Sequence, residues 1–298
     1  MVATSAHVAT PLPSYAKQGT TAFDDSLKQY FPGSIPNNTI LLRVQSTLRK
    51  RQYLPYNTLI ATSLPSEEIM TTPISLVSIL RSKLCEAKDG GVYNLGGIAG
   101  IPFAGDAGMS DLLSHSPKDG KIVILFGPNV GINKNGKVGQ VERIGTEEFG
   151  DDEANGVAVR AYYDIVGAPK SSLLQGTSGM NLEYDYVVAL LKKMPLKEWK
   201  DKGGDDYAIA KMTTNLYKII QELVLEQVNG YVSKNGEKVC SRISEITLLG
   251  GITVNRGHGS GTEGGDDVFH PLYMETIVKG KPTSLFPEVF GDLPTPKI

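Results

Sequence analysis

The run from Lys121 to Phe126 (KIVILF) is the feature that most limits how this chain can fold. It is too short for a core helix, and it is apolar at odd and even positions alike. A strand of that kind belongs in the middle of a sheet covered on both faces. A second apolar strand, Glu245 to Asn255 (EITLLGGITVN), reads the same way, and His270 to Gly280 (HPLYMETIVKG) reads as the last strand. Asn57 to Leu64 (NTLIATSL) reads as a short buried strand. A loop follows, then the helical spacing of Ile74, Val77, Leu80 and Leu84, which makes a first α/β unit.

The remaining helices follow from the same spacing argument. Leu41, Leu42, Val44 and Leu48 mark an amphipathic helix closed off by Pro55. Further helices are expected over Val157 to Val166, Leu182 to Met194 and Asp206 to Gly230. Asp205 or Asp206 is the expected N-cap of the last. Gly150 to Gly156 is read as an acidic loop, Gly167 to Gly179 as a linker, NKNGK as a hairpin-type turn, and RGHGSGTEGGDD as a glycine loop. Strands interleaved with helices give an α/β fold with a central sheet flanked by helices. The expected organisation is a flexible arm over 1–24, one α/β domain over 25–282, and a Pro-rich tail over 283–298.

Of the 298 residues, 40% are hydrophobic, enough for a buried core. Basic residues number 30 and acidic residues 32, which gives no electrostatic reason to expect nucleic acid as a partner. No apolar run is long enough to span a membrane. Cys85 and Cys240 form no disulfide framework, so a soluble chain in a reducing interior is expected. Asn37-Asn38-Thr39 is a formal glycosylation sequon of the kind that arises by chance.

The candidate chemistry is thin. A zinc hydratase needs Cys or His ligands and an open coordination position. Cys85, Cys240, His7, His115, His258 and His270 lie far apart in sequence, and Cys85 reads as a small buried apolar residue. There is no nucleophile elbow, and Ser114-His115 is a neighbouring pair only in sequence. Carboxylates are better placed for a hard cation: Glu67-Glu68 after the first strand, Asp106 and Asp111 in the glycine-rich stretch, and Asp151, Asp152 and Glu153 in the acidic loop. Gly90 to Asp111 is dense in glycine but carries no dinucleotide fingerprint. Its Gly97 to Gly105 part could offer backbone N–H groups to an anion.

Taken in order, the segments FPG, NTLIATSL-PSEE, GGIAGIPFAGDAG, SHSP-KDGK, FGPNVGIN-KNGKVG, VERIG, LGGITVN and FHPLYME resemble the limiting-CO2-inducible protein B/C family. The resemblance runs from about Phe31 to Gly280. It implies a fold similar to the β-carbonic anhydrases, dimers, and a role in inorganic-carbon handling in algal plastids. It also implies a zinc site built from a cysteine after the first strand with an Arg/Asp pair beside it, a histidine in the FGP-x-VGI segment, and a second cysteine in a later loop. Carried onto this chain, those positions hold Pro65, then Ser66 and Glu67, then Asn129, and finally a place within Asp151 to Asn155, which has no cysteine.

The vestigial pocket implied by the resemblance therefore comprises Pro65, Ser66, Glu67, Gly97, Phe103, Asn129 and Asp151, with no catalytic residue, no metal ligand and no cofactor. The reading that follows is a non-catalytic carbonic-anhydrase-like protein with a structural or assembly role. It would act as a homodimer or a hetero-oligomer with a related subunit, in the plastid stroma if the resemblance carries that far. Two alternatives stay open: a carbonic anhydrase or other metal-dependent lyase or hydrolase with a site rebuilt from Glu67, Asn129 and Asp151, and a bicarbonate or small-anion binding module.

Overall fold

The computed structural model describes residues 21–67, 70, 72–73, 75–85, 91–141, 156–167, 182–236, 239, 242–256 and 267–294. The N-terminal half of the chain runs α1 (Ala22–Tyr30), β1 (Ile35–Pro36), α2 (Asn37–Lys50), β2 (Thr58–Ser63), α3 (Leu76–Leu84), β3 (Tyr93–Asn94), α4 (Gly105–His115), β4 (Gly120–Phe126) and β5 (Asn129–Ile132). It continues with α5 (Val157–Val166), α6 (Leu182–Leu191), α7 (Leu196–Lys234), β6 (Ile243–Arg256), β7 (Val268–Val278), β8 (Lys281–Ser284) and α8 (Phe286–Phe290). One mostly parallel sheet has the order β1–β7–β6–β4–β2–β3, with β5 also beside β6 and β8 beside β7. β3, β2, β4 and β6 are parallel, and β7 returns antiparallel along β6.

The apolar run from Lys121 to Phe126 is β4, and alternate side chains enter opposite cores. Ile122, Ile124 and Phe126 join α4, α5, α6 and α7 on one face. Val123 and Leu125 join α2, α3 and α8 on the other. This explains why the sequence shows no polar alternation: neither face meets water. β6 behaves likewise, with Leu248 in the first core and Leu249 in the second. Its Gly250-Gly251 pair accommodates a register shift against β7. A Cβ at Gly251 would come within 2.5 Å of the Phe269 ring, so that ring lies where only glycine leaves room.

The crossovers fix where a site can form. From β2 the chain passes through α3 to β3 on one side, then returns through α4 to β4 and continues outward to β6. α3 packs in one core and α4 to α7 in the other. The direction of travel thus reverses between β2 and β4. Side chains just beyond the C-terminal ends of those two strands face a crevice, the usual ligand position in open α/β sheets.

Several expectations shift. Within the glycine-dense stretch α4 begins at Gly105, so Asp106 and Asp111 stand on a helix, and His115 is its last residue. α7 starts at Leu196 and is broken at Gly204 (φ 75°), immediately before the expected caps Asp205 and Asp206. β8 follows β7, so β7 is not the last strand. The Pro-rich segment from 283 carries α8, whose Val289 and Phe290 are buried, and Arg43 pairs with Asp292 at 2.5 Å. Asn37 of the sequon is buried at the start of α2, which speaks against a glycan there. The arm as far as residue 20, the linker from 168 to 179, and the glycine loop from 257 to 266 lie outside the described residues.

Candidate functional site

Pro65, Ser66 and Glu67 leave the C-terminal end of β2, while Asn129 opens β5 just past the end of β4. The joint between β4 and β5 is held tightly. The Gly127 N–H donates to the Ser63 carbonyl at 3.1 Å, and the Thr253 N–H donates to the Pro128 carbonyl at 3.1 Å. Gly127 has φ 141°, and any Cβ there would overlap the Gly251 carbonyl oxygen. Only glycine can stand at that joint, and it sets the position from which Asn129 projects.

Asn129 is buried and donates twice through Nδ2, to Glu67 Oε2 at 3.1 Å and to Asn255 Oδ1 at 3.0 Å. Asn255 donates onward to Asp267 Oδ2 at 3.3 Å, and the Arg256 N–H donates to Asp267 Oδ1 at 2.9 Å. The chain of contacts therefore crosses three strands, β5, β6 and the start of β7. The other side of Asn129 faces the N-cap of α5, where a Cβ on Gly156 would stand 3.2 Å from Asn129 Oδ1 and 3.6 Å from Glu67 Oε1. The first turn of α5 thus backs this pair. Asp151, with Asp152 and Glu153, lies outside the described residues, as does Glu68.

Gly97 and Phe103 sit together, but on the α6 side of the loop. The Ile98 N–H donates to Glu183 Oε2 at 2.9 Å, and a Cβ on Gly97 would approach that carboxylate and the Phe103 ring to 2.6 and 2.8 Å. Gly100 links this loop to the Asn129 side, since its Cβ would stand 2.5 Å from the Gly127 carbonyl oxygen and 3.3 Å from Pro65. Several N–H groups of this loop already have partners within the chain. Gly96 donates to Thr62 and Asn94, Gly97 to Ile101, Ile98 to Glu183, and Gly100 to Gly97. The Ile98 N–H holds the Glu183 carboxylate, and the glycines here serve close backbone approach.

The other candidates are dispersed. Cys85 caps α3 at the far end of β2, where its thiol lies 3.4 Å from the Thr58 carbonyl and burial raises its pKa. His115 and Asp111 are exposed on α4, and Tyr93 donates to Asp111. Asp106 pairs with Lys234 at 2.9 Å. His270 is buried in β7. Cys240, His7 and His258 lie outside the described residues. Sequence reasoning missed Asn255, Asp267 and Glu183. The one available hint was polarity at the end of an apolar strand, in the ITVNR run.

A family description, limiting CO2-inducible proteins B/C beta carbonic anhydrases, matches residues 34–278. The chain belongs to this family. Among solved structures, PtLCIB4, a homolog of the limiting CO2-inducible protein LCIB, is 25% identical, with a TM-score of 0.68 over 87% of this chain and 98% of that one. LCIB itself is 18% identical, with a TM-score of 0.54 over 87% of this chain and 96% of the other, a likeness of fold. A search of curated proteins finds no match.

The family implies zinc, and the residues placed here do not fit it. Pro65 offers no donor atom. Asn129 turns its amide nitrogen, a hydrogen-bond donor, to Glu67 and Asn255. That leaves one carboxylate, already accepting from Asn129, where zinc takes thiolate and imidazole. Among the described residues no group of three or more His, Cys, Asp and Glu side chains could hold a metal.

Proposed function

We propose that this member of the limiting CO2-inducible B/C family keeps the carbonic-anhydrase fold without zinc hydratase chemistry and serves as a structural or assembly subunit in inorganic-carbon handling. The observation that carries the reading is the amide of Asn129 bridging Glu67 and Asn255 where the family resemblance places a histidine ligand. A neutral amide fixed between two acceptors cannot activate water, and without a Lewis acid the water keeps its ordinary pKa. The plastid stroma is part of the proposal on family grounds.

An apolar patch supports the assembly part. Leu182 is 78% exposed and Tyr186 40% exposed on α6, and Phe103 packs edge-on against Tyr186 at 5.6 Å. A contiguous group of exposed apolar side chains is one mark of a protein contact. The occupant proposed is a second copy or a related subunit. CO2 hydration should stay at the buffer rate in stopped flow with zinc supplied. Light scattering should give an oligomer that Tyr186→Asp shifts toward monomer. Hydration well above buffer, or a monomer that captures no related subunit, would overturn the reading.

The rebuilt-site alternative has one point in its favour, the direct contact of Glu67 with Asn129. If it holds, Glu67→Ala abolishes Mg2+ or Mn2+ binding in calorimetry while the fold is kept. Unchanged heats would remove it.

A further inference from the structure

A cavity of about 240 Å3 lies where the last turns of α4 and α7 meet the start of β6. Thr253, the strand partner of Asn129, stands at the other end of β6, so this cavity is no part of the crevice beyond β2 and β4. Leu113, Val239 and Ile243 are buried and give it an apolar floor. Tyr231 of α7 forms a wall. It is only 6% exposed, and its hydroxyl makes no hydrogen bond among the described residues. A buried tyrosine hydroxyl normally has a partner, and this one borders open space instead. Arg242 stands exposed at the mouth. Its Nε donates to the Ser116 carbonyl at 3.3 Å and its Nη2 to the Ser114 carbonyl at 2.6 Å, both at the C-terminal end of α4. Those two bonds use one edge of the guanidinium and fix its plane. Among the described residues no carboxylate pairs with Arg242, so its Nη1–Nη2 edge is left for an acceptor. The carboxylates of α4 are engaged elsewhere: Asp111 accepts from Tyr93, and Asp106 pairs with Lys234. The lining therefore offers one positive charge, no negative charge, and an apolar floor.

We infer that this cavity binds a small monocarboxylate with a short aliphatic body. The carboxylate accepts two N–H bonds from the free edge of Arg242 and one from the Tyr231 hydroxyl, and the body rests on Leu113, Val239 and Ile243. Guanidinium–carboxylate pairing of this forked kind is both strong and directional. α4 already holds the guanidinium, so little side-chain freedom is lost when a ligand arrives. At about 240 Å3 the cavity is smaller than sites for drug-sized ligands, which limits the body to a few carbons. A bare inorganic anion would meet the same donors and leave the floor unfilled. The inference is separate from the zinc-free reading: metal content and ligand binding are read by different measurements, and either can fail alone.

The test is ligand-observed NMR titration of the full chain with butyrate, acetate and 1-butanol in one buffer at fixed salt, with bicarbonate added as a competitor. Butyrate should saturate a single site. It should bind about tenfold tighter than acetate, which lacks two methylene groups for the floor. It should also bind about tenfold tighter than 1-butanol, which lacks the charge-assisted bonds. Arg242→Gln should reduce butyrate to the level of 1-butanol. Tyr231→Phe keeps the ring in the core and removes only the hydroxyl, so circular dichroism should report an intact fold while butyrate binding weakens by about threefold or more. The inference is overturned if butyrate shows no saturable binding, if acetate, 1-butanol or bicarbonate binds as tightly as butyrate, or if either variant binds butyrate like the parent chain.

Discussion

Asn129 satisfies two acceptors with one nitrogen, and one of those acceptors, Asn255, is fully buried. Replacing it by leucine keeps the volume and removes both donations. The buried oxygen of Asn255 then loses a hydrogen bond without gaining water, which costs about 1–3 kcal/mol. Urea denaturation of Asn129→Leu should show that loss at an unchanged slope. His270 is the second residue with a measurable consequence. It is buried in β7, its Nδ1 has no hydrogen-bond partner among the described residues, and burial lowers its pKa from 6.5 to about 4. The folded chain keeps the ring neutral while the unfolded chain takes up a proton below 6.5. The stabilisation from this group is therefore complete above that pH. It falls as pH drops from 6.5 toward 4, by roughly 3 kcal/mol at the most. His270→Leu should flatten the acid limb in urea midpoints taken from about pH 7 to about pH 4.

At the scale of elements, α8 shows how a short helix can matter more than its length. Leu285, Val289 and Phe290 are buried against α2 and β7, and Arg43 holds Asp292 beyond the helix end. Chain ending after Ser284 should be less stable by roughly 5–9 kcal/mol, the burial of Leu285, Val289 and Phe290 taken together. Thermal melting would read this directly. The segment was hard to see from sequence because LFPEVF is too short to show a helical period and stands between prolines. The long periodic elements were legible for the opposite reason. α5 is found over the residues where spacing placed it, and β4 and β6 follow their apolar runs. α4 was hidden because Gly105 and Gly108 are poor helix formers, and it is held by the burial of Met109, Leu112 and Leu113. The candidate site divides in the same way. Pro65, Glu67 and Asn129 could be placed by resemblance, and their contact follows from the reversal between β2 and β4. Asn255 and Asp267 could not, because their part depends on register: Asn255 lies beside Gly131 of β5, two residues on from Asn129.

For the whole molecule, the two ends of the sheet carry different polar groups. At the N-terminal ends of β4 and β6, Glu245 is buried among Lys121 at 2.9 Å, Arg51 at 3.4 Å and the Thr276 hydroxyl at 2.5 Å. That cluster closes the lower end with every partner in place, as buried charges require. At the C-terminal ends stand a proline, an amide and a carboxylate, Pro65, Asn129 and Glu67, the positions on which the proposed loss of zinc chemistry rests. The most direct measurement is the zinc content per chain of protein purified without chelators and then offered zinc, read by mass spectrometry of the metal. This account predicts a zinc content far below one per chain that does not rise on zinc addition. One tightly held zinc per chain, lost when Glu67 or Asn129 is replaced by alanine, would contradict it.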